Sequence, residues 1–89
     1  MNKELLKKLK KLEEAEKRAN AADQAWENEP ENEALEAAFD EAYNEEHTAF
    51  TELANEIVKM TNNKIDFATA SLLIRSKRNE LTNLIGRLA

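Results

Sequence analysis

The residues with the widest chemical reach sit together at Glu45-Glu46-His47, where two carboxylates precede the chain's only histidine. An imidazole works as a general base when a nucleophile stands beside it and a third group orients it. Serine occurs only at Ser71 and Ser76, far along the chain on another predicted helix. A di-metal carboxylate bundle needs inward glutamates and Glu-x-x-His pairs. The position three before His47 is Asn44, so that motif is absent. The chain has no cysteine, hence no thiol nucleophile, thiolate metal site or disulfide. One glycine cannot make a phosphate-binding loop, and no zinc, calcium or dinucleotide pattern occurs. The reading is a protein that is not an enzyme, with no catalytic residue, no metal site and no cofactor.

What remains is charge. Residues 1–12 carry five lysines against one glutamate, residues 13–56 carry fifteen acids against two bases, and residues 57–89 carry six bases against two acids. The net charge of -5 therefore hides a segregated chain. The stretch WENEPENEALEAAF, residues 26–39, holds the only tryptophan and only proline and has no base. Trp26, Glu27, Glu29, Glu31, Glu33 and Glu36 are the candidate partner-binding residues. Clustered acids repel one another and steer a basic partner toward them. The competing reading is a solvated turn, because glutamate forms helices well and keeps surfaces soluble. Trp26 is either an exposed anchor or a cap packed on Leu35.

The elements that position these residues are helices. With 35% charged residues and only two Gly and Pro together, the 89-residue chain reads as one helical domain, 1–89. Leu5, Leu9, Leu12, Ala15, Ala19, Ala22 and Trp26 recur every three or four residues, which predicts a first helix over 3–27. Pro30 suits the first turn of a new helix, predicting a second over 30–61 with Glu31 and Glu33 at its positive end. Its seam is Leu35, Phe39, Ala42 or Tyr43, Glu46, Phe50, Leu53, Ile57 and Met60. Asn62 and Asn63 tolerate the left-handed backbone that ends helices, and Asp66 reads as the N-cap of a third helix over 67–87. That helix has the seam Phe67, Ala70, Ile74, Lys77, Leu81, Leu84, Leu88.

Short turns make successive helices antiparallel neighbours. The expected fold is all-α: an antiparallel three-helix bundle built on a long helical hairpin with a shorter third helix. At 1.5 Å per residue the second helix spans roughly 45 Å and the third about 32 Å. The third then ends near Phe39, and residues 20–38 form a two-helix acidic tip. Lys77 is expected near Phe50 and Leu81 near Glu46.

The function expected from this layout is a small acidic protein–protein interaction module: an adaptor, regulator or inhibitor. Its partner is a protein with a basic surface, and in the sharpest form the tip mimics a nucleic acid on that surface. The alternative is a self-assembling structural protein that forms a homodimer through an apolar helix face. Direct nucleic acid binding through Arg75, Lys77 and Arg78 is not expected, because an acidic hairpin would flank them. ELLKKLKKL is amphipathic and basic, but its leucines are used by the bundle, so no membrane partner is expected. The chain lacks an apolar run of roughly 20 residues and a cleavable signal pattern, and is read as cytoplasmic.

Overall fold

Leucine and alanine at helical spacing make one face of the first helix, and that face is where the core forms. A computed structural model describes residues 2–87, and every regular element among them is an α-helix. The helices are α1 (Asn2–Asn28), α2 (Glu33–Met60), α3 (Phe67–Ser76) and α4 (Arg78–Arg87). Leu5, Leu9, Leu12 and Ala15 of α1 pack with Ala49, Leu53, Ala54 and Ile57 of α2 and with Ala70, Ile74, Leu81 and Ile85. Each fully buried leucine or isoleucine contributes about 1.5–3 kcal/mol. Ala15 and Ala49 keep the long helices close, since small side chains leave little between backbones.

Lys11 meets Glu52 at 3.5 Å and Arg18 meets Glu45 at 3.3 Å. Both pairs are largely exposed, so each is worth only about 0–1 kcal/mol.

The link from α1 to α2 is a tight turn. The Asn32 amide donates to the Glu29 carbonyl at 3.0 Å, closing four residues with Pro30 in the second position. Proline's fixed φ favours that position. Contrary to the expectation from sequence, Pro30 therefore does not start the helix, which begins at Glu33. Asn32 is the N-cap: its Oδ1 accepts from the amides of Ala34 (3.0 Å) and Leu35 (3.3 Å). Glu31 lies in the turn, while Glu33 and Glu36 occupy the first helical turn.

The second link follows the sequence reading. Asn62 and Asn63 both adopt positive φ, at 53° and 67°. Asn63 donates to Val58 at 3.0 Å, closing the end of α2. Asp66 caps α3 by accepting from the Thr69 amide at 2.8 Å. Hydrogen bonding from Thr69, hydroxyl first and amide second, holds this carboxyl below its ordinary value.

The expected third helix is instead two. Lys77 (φ -130°, ψ 50°) separates α3 from α4. A continuous helix would have kept Lys77 in an apolar seam, and the break turns it out to solvent. Two helical hydrogen bonds survive around it, Lys77 to Leu73 and Leu81 to Lys77. The Ile74 carbonyl accepts from Arg78 Nε at 2.9 Å. The same guanidinium grips Glu16 through both terminal nitrogens, at 3.3 and 3.1 Å. Leu81 and Ile85 become fully buried in the cluster that holds the α1 leucines.

The break redirects the chain. The α4 backbone comes within 8 Å of α1 and α3 but not of α2 among the described residues. Leu81 therefore does not lie beside Glu46, and Arg75 rather than Lys77 covers Phe50, its guanidinium 4.9 Å from the ring. Phe67, expected in the seam, is 45% exposed. Leu88 lies outside the described residues.

Candidate partner-binding surface

Trp26 sits in the last turn of α1, where the chain approaches the Glu29–Asn32 turn. Its Nε1 donates to the Pro30 carbonyl at 3.2 Å. Its ring stacks on Phe39, with centroids 5.4 Å apart and planes 29° from parallel. Of the two sequence readings, exposed anchor or cap packed on Leu35, the structure shows a ring stacked on Phe39, one helical turn beyond Leu35 on the same face of α2. The indole is half-buried, with its polar atom used, so it is not a free anchor.

The other five candidates are all exposed carboxylates. Glu27 is near the end of α1; Glu29 and Glu31 flank Pro30 in the turn; Glu33 and Glu36 open α2. They cluster around the α1–α2 link but do not converge on an atom-sized site. Among the described residues none of the five has an ion-pair partner. The carboxylates that do are Glu13, Glu16, Glu45 and Glu52. The chain's own bases thus answer the acidic middle and leave the acidic end unanswered.

The sequence also offers a face carrying Glu46 beside Tyr43 and His47 as an open site for a partner helix, and that face lies where α3 stops. A groove of about 350 Å³ opens there between the long helices and α3. Its walls include Glu16, Tyr43, Glu46, His47 and Phe50, with Arg75 and Arg78 at the α3 side. Arg78 neutralises Glu16, with Glu13 3.9 Å away. Glu46 is pushed above its ordinary value, first by burial and then by the charge of Glu16. His47 is exposed, and among the described residues its side chain has no hydrogen-bond partner to orient it.

Aromatic rings continue from this groove toward the turn. Tyr43 is 56% exposed and stands 6.2 Å, ring to ring, from Phe39, which stacks on Trp26. Residues 39, 43, 46 and 50 recur at three or four, so this line is the same face of α2 that α3 covers at Phe50. The seam in the sequence carries this signal, and α4 lies against α1 and α3 rather than over this face of α2.

Among the described residues no three His, Cys, Asp or Glu side chains are arranged to hold a metal ion. No helix there is long and apolar enough to cross a membrane. No protein-family model matches the chain, and neither a curated protein nor a solved structure is significantly similar to it.

Proposed function

We propose that this chain is a binding protein, not an enzyme, whose acidic end docks on a basic surface of a partner protein in the cytoplasm. The observation that carries this is the uneven neutralisation of charge. Residues 19–44 hold eight acids and no base, and the candidate carboxylates among them lack ion pairs, whereas the next acids along both helices are paired. Unpaired like charges crowded together cost stability, and a basic partner offsets that cost while being steered toward them. An adaptor, regulator or inhibitor role fits such a surface, including mimicry of a nucleic acid.

The architecture that presents it is read as an antiparallel hairpin of α1 and α2, with α3 and α4 laid on one half of it as a bundle. The opposed numbering of the pairs Lys11–Glu52 and Arg18–Glu45 supports that reading. The acidic half then projects as two helices alone.

The test is a pull-down from host lysate with the wild-type chain and with Glu29→Lys, Glu31→Lys, Glu33→Lys combined. A partner of basic composition, lost on reversal and on raising salt, supports the reading. Capture unaffected by the reversal refutes it. Self-assembly is favoured by one observation, the exposure of Leu6 (40%), Phe67 (45%) and Leu72 (49%) at the opposite half. Sedimentation over a range of concentrations distinguishes it: a strict monomer excludes the homodimer.

A further inference from the structure

We propose that the partner enters as a basic amphipathic helix, lying in the open groove of α1 and α2 in line with α3. This rests on the reading of the acidic end as a binding surface and says which part of it is used, and by what. The groove is half of an interface that the chain itself occupies elsewhere. Over Phe50, Leu53 and Ile57 the α2 face is covered by α3; through Tyr43 to Phe39, on which Trp26 of α1 stacks, the same face continues without a covering helix. No α4 residue beyond Arg78 lines the cavities at Tyr43, Glu46 or Asn20.

Charge selects the occupant. On the α1 side, Asp23 and Glu27 follow Glu16 and Asn20 at helical spacing. On α2, Glu36 lies one heptad before Tyr43. An apolar strip edged by carboxylates on both sides fits a helix with an apolar stripe flanked by lysine or arginine. The chain already makes these contacts where α3 ends, with Arg75 over Phe50 and Arg78 on Glu16. A partner helix repeats them one step along: a base over Tyr43, bases toward Asp23 and Glu36, apolar residues on Phe39 and Trp26. A second copy's basic N-terminus is not the occupant, because Leu5, Leu9 and Leu12 are buried in their own core. From Glu33 to Glu46 the open face runs about 20 Å, which matches roughly 14 helical residues at 1.5 Å each.

The test uses two synthetic peptides of about 14 residues. One carries leucines at i, i+3, i+4 and i+7 with lysines elsewhere; the other has the same composition, scrambled so that its leucines share no face. Neither contains tryptophan, so Trp26 emission reports contact. The proposal expects the patterned peptide to bind about tenfold or more tighter than the scrambled one, to gain helicity, and to shift Trp26 emission. Tyr43→Ser, at an exposed position, weakens the patterned peptide by about tenfold or more. Equal binding of both peptides, or indifference to Tyr43→Ser, overturns the groove while leaving the acidic-surface reading in place. If neither peptide binds at low salt, both readings fail.

Discussion

Removing the Arg78 side chain tests whether α4 is held on α1, because this one guanidinium does two jobs at the break. Nε satisfies the part-buried Ile74 carbonyl at 2.9 Å, and the terminal nitrogens grip Glu16. Losing that side-chain donor costs about 1 kcal/mol. The ion pair is about one-third exposed on each side, at 31% and 34%, so it is discounted to the range of surface pairs. That adds about 0.5–1 kcal/mol. Arg78→Ala should then destabilise the fold by about 1.5–2 kcal/mol, lowering Tm by roughly 10 °C in a domain of this size. Urea denaturation followed by circular dichroism measures it. A double-mutant cycle with Glu16→Gln should show coupling of about 0.5–1 kcal/mol. Arg78→Lys should recover less than half the loss, since an ammonium cannot serve both sites at once. If Arg78→Ala lies within about 0.3 kcal/mol of wild type and the cycle shows no coupling, the account of the break and of α4's direction is wrong.

Other substitutions probe the rest. Leu53→Ala, at a position with no exposure, should cost about 2–5 kcal/mol in the same assay. Asn32→Ala removes the cap that two amides share and should cost about 1 kcal/mol, whereas Pro30→Ala should cost less if Asn32 alone starts α2. Glu46→Gln should be more stable than wild type at neutral pH. The Glu46 carboxyl is raised by burial and by Glu16, so the folded chain binds its proton more tightly than the unfolded one. Stability is then fully present below the ordinary value of 4.5 and is lost as pH rises through the folded value. The advantage of the glutamine should therefore shrink to nothing as pH falls below that ordinary value; an advantage independent of pH would refute the assignment.

Features decided by neighbours in sequence are the ones legible in it. The α1 face from Leu5 to Ala19 is buried because helical spacing puts those residues together wherever the helix packs. Asn62, Asn63 and Asp66 do what their own side chains favour. The start of α2 was legible and misread: proline suits both a helix's first turn and a β-turn's second position, and the stronger signal was Asn32 as a cap. The break at Lys77 was not legible. Whether a lysine stays in a seam or the helix breaks depends on what Leu81 and Ile85 gain against α1, and on Arg78 bonding Ile74 four residues back while reaching Glu16 across 62 residues of sequence. Whether Trp26 is an exposed anchor or a packed cap is open in the sequence for a similar reason, because the shape of the turn brings both the Pro30 carbonyl and the Phe39 ring to it.

The most direct measurement is resonance mapping of the isotopically labelled chain on adding the protein that the pull-down captures. The account predicts shifts concentrated in residues 19–47, led by Tyr43 and the Trp26 indole, with the Lys3–Leu12 segment and the exposed faces of Phe67 and Leu72 unmoved. Shifts confined to those basic and apolar positions, with the acidic end silent, would contradict it.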